Sequence, residues 1–371
     1  MSSLLTTQKR MQDVALRPEA RVLTLCARSQ RTPAAEAALG SLLTRDLDWE
    51  WLRRQLFQLH GIEPLVDRAW KAHEGHVPTE LKEEVALRAR AVAFRNLQQL
   101  HELLRLIRIL EHEGIPVIPF KGPMLAVQAY GNVAYRRFGD LDIIVPREHV
   151  ACVRSLLMEQ GYEPAKDLSD VAEKAYIDSQ LGYEFVHDQK RTVVEVHWAL
   201  FYEIYAFDLA PEEIWKRAQR ISVAGQSVRA LSPEDLLIYL CFHGTKHRWA
   251  RLTWIADVAE VLQSSGDIDW QTTIKRSTTL GSLRMLLLGL YLSHAMLGTR
   301  LPSRVHRLLT KDQTVGKLAT QVIEEWLFME GDSDPSSELE VFWFHVQERE
   351  RWRDRWPYIR HHLNLWAPFT N

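Results

Sequence analysis

Gly139-Asp140-Leu141-Asp142-Ile143-Ile144-Val145-Pro146 is the stretch on which the reading of this chain turns. Alternate side chains of a strand share a face, so Asp140 and Asp142 project together. The rest of the run is Leu, Ile, Ile and Val, the composition of a buried strand, in which aspartate is a poor strand former. Two adjacent carboxylates repel each other unless a cation lies between them. Hard oxygen ligands favour Mg²⁺, so the pair points to a divalent-metal site. The plainer alternative is a pair of solvated acids on an edge strand.

Upstream, Val117, Ile118 and Phe120 form an apolar run that stops at Lys121-Gly122. Met124 to Tyr130 reads as a short helix, followed by Arg136-Arg137. Downstream, Pro146-Arg147-Glu148 opens a helix through Leu157 and Met158 that ends near Gly161. Gly182 to His187 alternates like a strand, Asp188 to Arg191 reads as a hairpin turn, and Thr192 to Trp198 is strand-like again. Glu195 interrupts β-branched residues as the aspartates do, and it shares a face with His197. Carried in on a neighbouring strand, it completes an acidic triad; an exposed acid on a hairpin is the alternative. This order of elements predicts an α+β fold, a small mixed sheet covered by helices.

Both flanks read as helical. Trp51, Leu52, Leu56 and Leu59, then Leu65 and Trp70, recur at helical spacing. Pro78 to Leu110 is one long amphipathic helix or two, with Leu81, Val85, Leu87, Leu97, Leu100 and Leu103 among its apolar positions. Gly114 and Pro116 terminate it, and His101 and His112 fall on its surface. Ser232-Pro233 is a helix start, serine as cap and proline in the first turn. That helix reaches His243, and His247 four residues on shares its face. Gly244 after His243 excludes the zinc-protease pattern, which needs glutamate there. Lys246, His247 and Arg248 form a basic edge or a solvated turn. Asp257, in an apolar helix, would orient one of these basic residues or be a satisfied buried carboxylate. Leu286 to Leu297 reads as core, and Gly331 to Ser337 as an exposed loop. In the tail from Glu338, arginines, acids and tryptophans alternate, predicting a closing amphipathic helix packed on the body rather than a stacking surface for nucleic acid. The expected division is 1–110 helical, 111–215 an α/β core, and 216–371 a helical domain.

Composition narrows the class. A chain of 371 residues can bury a large core, and a net charge of −2 carries no global basic field for nucleic acid. Nucleic acid is therefore a disfavoured partner, although local basic clusters exist. Three widely spaced cysteines (Cys26, Cys152, Cys241) without a Cys-x-x-Cys argue for a reducing compartment, and against a disulfide framework or a zinc knuckle. With no signal core and no run long enough to span a bilayer, a cytoplasmic chain without a membrane partner is expected. Most of the 13 tryptophans are assigned to core packing.

The order Lys121-Gly122, a short helix with Tyr130, Arg136-Arg137, Asp140-x-Asp142 and then Glu195-Val196-His197-Trp198 resembles bacterial nucleotidyltransferases of the polymerase-beta-like superfamily, their uncharacterised members above all. The likeness runs from Val85 to Leu262 and is strongest from Phe120 to Pro146. The segment Cys241 to Trp249, followed by Trp254 and Asp257, is similar to the same group. The abortive-infection toxin nucleotidyltransferases share the Lys-Gly and Asp-x-Asp arrangement more distantly. The resemblance implies that Asp140, Asp142 and Glu195 hold Mg²⁺ or Mn²⁺ and are catalytic, with Glu195 deprotonating the acceptor hydroxyl. It implies an NTP, ATP or another, as donor, held at Lys121 and Gly122 where backbone amides approach the triphosphate. Arg136 or Arg137 would replace the phosphate contact that superfamily members take from a serine, here Pro123. His197, His243, Lys246, His247 and Asp257 are candidates for substrate or supporting contacts. The alternatives to transfer onto a hydroxyl are a nucleotide-binding regulator of reduced activity and a toxin-like enzyme acting on RNA or protein. The acceptor and the preferred nucleotide are not legible.

Overall fold

The computed structural model describes residues 16–166, 176–177, 182–200, 211–328 and 337–366, without the side chains of 74, 211 and 363–366. The chain opens with four short helices, α1 (Pro18–Cys26), α2 (Pro33–Leu43), α3 (Trp49–Arg54) and α4 (Glu63–Trp70). Thr32 caps α2 by accepting the Ala35 N–H, and Asp48 caps α3 by accepting that of Trp51. The long amphipathic segment forms one helix, α5 (Thr79–His112), about 50 Å in length at 1.5 Å per residue. Gly114, at φ +74°, ends it, and Ile115 donates its N–H back to the Leu110 carbonyl. The buried stripe of α5 includes Leu81, Val85, Leu100, Leu103 and Leu110. Leu87 and Leu97 fall outside it and are exposed.

Next come β1 (Ile118–Pro119), α6 (Gly122–Tyr130), β2 (Asp140–Ile144), α7 (Val150–Glu159) and β3 (Glu163–Pro164). The hairpin β4 (Gly182–His187) and β5 (Thr192–His197) completes a five-stranded sheet of order β1-β2-β5-β4-β3. Only the β2–β5 pair is parallel, so the sheet is mixed. One face carries Leu141, Ile143, Val194, Val196, Tyr183 and Phe185 into a core with Leu103 and Ile107 of α5 and Val153 and Leu157 of α7. Period two then turns Asp140, Asp142, Glu184, Glu195 and His197 to the other face.

After α8 (Pro211–Arg217), a second hairpin, β6 (Gln219–Val223) and β7 (Gln226–Ala230), turns on Ala224-Gly225 with φ of 48° and 80°. The sequence reading had assigned no element here; the alternation of Ile221, Val223, Val228 and Ala230 was its signal. The rest is helical: α9 (Pro233–Lys246), α10 (Leu252–Ser264), α11 (Trp270–Leu280), α12 (Leu283–Leu297), α13 (Ser303–Lys311), α14 (Gln313–Gln321), α15 (Glu338–Gln347) and α16 (Trp352–Trp366). A second core joins Trp51, Leu65 and Trp70 of the first helices to Leu237, Ile255 and Leu288 of the later ones, and reaches the sheet at Phe120 and Ile144.

The closing segment forms two helices rather than one, and the first carries a Ser337–Glu340 capping box. Its tryptophans depart from the packing expectation. Trp343, Trp352 and Trp356 are exposed, whereas Trp51, Trp70, Trp249 and Trp326 are buried. The loop expected at 331–337 lies outside the described residues except for Ser337. No described helix is long and apolar enough to cross a membrane.

Candidate active site

Register assembles the site. The parallel pairing of β2 and β5 sets Asp142 opposite Glu195 and Ile144 opposite His197. Asp140, Asp142, Glu195 and His197 therefore share the face that the apolar residues leave free. The antiparallel pairing of β5 with β4 places Glu184 opposite Glu195 and Gly182 opposite His197. A Cβ on Gly182 would stand 3.0 Å from His197 Nδ1, so glycine makes room for the imidazole.

Lys121 Nζ lies 2.6 Å from Asp142 Oδ1. His197 Nε2 bridges the two strands, 3.3 Å from Asp142 Oδ1 and 3.2 Å from Glu195 Oε2. These are charge contacts without hydrogen-bond alignment, and Asp142 Oδ2 is buried with no hydrogen-bond partner. Burial opposes ionisation of Asp142, but Lys121 and His197 outweigh it and hold the carboxyl below the usual range. Burial and the Asp142 charge push Asp140 up. Burial also opposes the charge on Lys121, but Tyr239, Asp142 and Asp140 prevail and raise its pKa. His197 is raised in the same way: Asp142 and Glu195 outweigh its burial.

From its middle onward α9, with the residue that follows it, roofs these groups. Tyr239, His243, Lys246 and His247 close a cleft of about 510 Å³ over Lys121, Asp140, Glu195 and His197. Phe120 meets both layers, its ring edge-on to His197 at 5.2 Å and to Tyr239 at 5.1 Å. The His243 and His247 rings lie 4.7 Å apart and both contact Trp254. Burial, with Lys121 and His247, drives His243 well below its usual pKa. Burial, Lys246 and Lys121 bring His247 down to about 4. Both imidazoles are thus neutral at neutral pH.

Ligand atoms of Asp142, Glu195 and His197 lie within 4.8 Å of one another, close enough to share one ion. The orphaned Asp142 Oδ2 is an acceptor awaiting a partner, and two carboxylates beside an imidazole are a metal-binding set. The residues fit a divalent cation.

Over residues 45–298 the chain matches the family described as uncharacterised nucleotidyltransferases. It belongs to that family. No curated protein matches it significantly. Among solved structures, an antigenic nucleotidyltransferase-like protein from Paracoccidioides brasiliensis is similar at 17% identity, covering 57% of this chain and 96% of that one with a TM-score of 0.37. The antibiotic-resistance factor ANT(2'')-Ia is similar at 14% identity, covering 59% of this chain and 96% of that one with a TM-score of 0.30.

In this family member the predicted residues fall into two groups. Lys121, Asp140, Asp142, Glu195, His197, His243, Lys246 and His247 come together at the cleft. Arg136, Arg137, Gly122 and Asp257 are not among its lining residues. Arg136 makes a bidentate pair with Asp257 at 2.7 and 2.9 Å, and Tyr130 donates its hydroxyl to the same carboxylate. Asp257 therefore does not orient Lys246, His247 or Arg248 as one reading had it, because α10 packs its buried side against α6 and presents the carboxylate there. Arg137 pairs with Glu63 at 2.8 Å. Gly122, at φ +50°, brings the start of α6 against β2; a Cβ there would meet the Asp140 carbonyl at 2.6 Å. The sequence reading missed Glu184, Tyr239 and Lys166, which line the cleft. The alternation Tyr183-Glu184-Phe185 carried the signal for Glu184.

Proposed function

We propose that this chain transfers a nucleoside monophosphate from an NTP to an acceptor hydroxyl, with Mg²⁺ or Mn²⁺ held by Asp140, Asp142 and Glu195. The observation that carries this reading is the register pairing of Asp142 with Glu195, with Asp140 on the same face of the cleft floor. When bound, the metal neutralises charge on the triphosphate and on the attacking and leaving oxygens. Lys121, held charged by the aspartates, places a buried ammonium where it attracts phosphate oxygens. Glu195 is the most exposed of the three groups in the ion cluster, so the acceptor reaches it from the open side of the cleft. Its carboxylate takes the hydroxyl proton as the new P–O bond forms and pyrophosphate leaves. His197, between Asp142 and Glu195, positions both carboxylates.

The test is calorimetric titration of each NTP, with Mg²⁺ and then Mn²⁺, into the wild type and an Asp140→Asn, Asp142→Asn double variant. Metal-dependent binding is expected in the range of about 1 μM to 1 mM. The double variant should lose it while retaining its helical circular dichroism. Failure of every NTP to bind the wild type with either metal would sink the proposal.

A further inference from the structure

Helix α5 carries an apolar stripe that the fold leaves uncovered. Leu87, Phe94 and Leu97 are 62%, 66% and 56% exposed, on the side of the helix turned away from its buried positions Val85, Leu103 and Leu110. A lone exposed apolar side chain is ordinary, but three on one face of one helix make a patch. Charges close it at both ends. Glu80, Leu87, Phe94, His101 and Arg108 follow one another at intervals of seven residues, and all five are exposed. They therefore run in one line along about 42 Å of the helix. Among the described residues, neither the Glu80 carboxylate nor the Arg108 guanidinium has an ion-pair or hydrogen-bond partner.

This line is complementary to itself reversed. Glu80 and Arg108 each stand fourteen positions from Phe94, and Leu87 and His101 each stand seven. When a second copy lies antiparallel with the two Phe94 rings meeting, Glu80 of each copy faces Arg108 of the other. Parallel pairing would set Glu80 against Glu80 and Arg108 against Arg108, which repel. The antiparallel arrangement also brings opposite ends of the two helix dipoles together. Leu103 and Ile107 of α5 pack under the apolar face of the sheet, whereas the cleft lies over the opposite face. Pairing through α5 thus leaves both clefts open.

We propose that two copies of this chain associate through α5 as an antiparallel, twofold pair centred on Phe94, with Glu80–Arg108 ion pairs fixing the register. A strip about 42 Å long and about 10 Å wide covers about 400 Å² on each copy, half of a standard interface of about 800 Å². The pair is accordingly reversible, with a dissociation constant on the order of 10–100 μM. It stands independently of the nucleotidyltransferase reading.

Sedimentation velocity of the full chain at low salt, from about 2 to about 300 μM, reads the association directly. The wild type is expected to shift from the monomer boundary toward the dimer across that range, and Phe94→Glu to remain monomeric. Glu80→Arg and Arg108→Glu should each weaken association by about tenfold, because two attractive pairs become two repulsive ones. Mixing these two variants should restore it, since their charges are complementary between the chains although not within either. A short bis-maleimide, on a Cys152→Ser background that removes the exposed thiol, should couple Phe94→Cys to itself. Leu87→Cys should not self-couple, its two copies lying about 21 Å apart. Circular dichroism confirms that these variants, all at exposed positions, keep their helices. A wild type that stays monomeric throughout overturns the proposal in favour of a different partner for the stripe. Association that survives Phe94→Glu, a mixture of the two charge variants that stays monomeric, or self-coupling of Leu87→Cys as strong as that of Phe94→Cys overturns it equally.

Discussion

At Gly122 one missing methyl group decides where the acidic strand sits. The residue is at φ +50°, and an added Cβ would come within 2.6 Å of the Asp140 carbonyl oxygen, a backbone atom that can yield only if β2 moves. Gly122→Ala is therefore expected to cost about 1–3 kcal/mol in denaturant unfolding. It should also weaken metal-dependent NTP binding by shifting Asp140 and Asp142. Gly114 is the control: at φ +74° with nothing within 4 Å of its would-be Cβ, it carries backbone strain without a clash. Gly114→Ala should cost about 1 kcal/mol and leave nucleotide binding alone. Equal effects of the two substitutions on binding would show that the close approach to Asp140 has no bearing on the site. The sequence marked this glycine as a place of close approach, and a triphosphate was the expected neighbour. The neighbour observed is the protein's own carbonyl, and nothing in a linear pattern names the partner of such a contact.

Between elements, the Asp257–Arg136 pair fastens α10 to α6 and to the turn that enters β2. Both residues are buried, and Asn96 donates to the Arg136 carbonyl from α5, so four segments meet at one charge pair. Asp257→Asn would leave the guanidinium buried without its counter-charge. The expected loss is about 3–5 kcal/mol of unfolding free energy. Adding Arg136→Met should restore a large part of it, since the cost lies in the orphaned charge rather than in lost packing. A single variant that unfolds at the wild-type denaturant concentration would show that the pair holds nothing together. The comparison also shows what sequence patterns deliver. β2, β4 and β5 were legible because period two is sharp where one face is buried and the other holds acids, and Asp140, Asp142, Glu195 and His197 followed from it. Arg136 and Asp257, 121 positions apart, looked like a phosphate contact and an orienting acid because local patterning carries no record of which distant side chains meet. For Glu184 the pattern was present, but its meaning depended on the β4–β5 register, which alternation alone leaves open.

Across the whole molecule, neutral histidines tie stability to pH. His60 is fully buried where the early helices meet α10, and its Nδ1 accepts the Leu252 N–H at 3.3 Å. Burial, with Arg251, pushes its pKa down to about 3. His247 falls to about 4, and His243 is also well below its usual value. An unfolded histidine binds a proton below about 6.5, whereas these three resist it in the fold. Stability is thus lost as pH falls from about 6.5, at up to about 1.4 kcal/mol per pH unit for the fully buried His60 and by less for the half-buried His243 and the exposed His247. His197 has the opposite sign. Its pKa is raised, so its contribution is complete below about 6.5 and fades as pH rises through the folded value. The lowered histidines thus limit stability on the acid side, and His197 on the alkaline side. Guanidinium unfolding of the metal-free protein at pH 7, 6 and 5 should show a decline that starts before carboxylates protonate. His60→Asn keeps an acceptor for the Leu252 N–H without a titrating ring, and should make that decline shallower by about 1.4 kcal/mol per pH unit. An unchanged slope in this variant would mean that His60 is free to protonate within the folded protein, and that the packing of the early helices against α10 opens far more readily than their shared core implies.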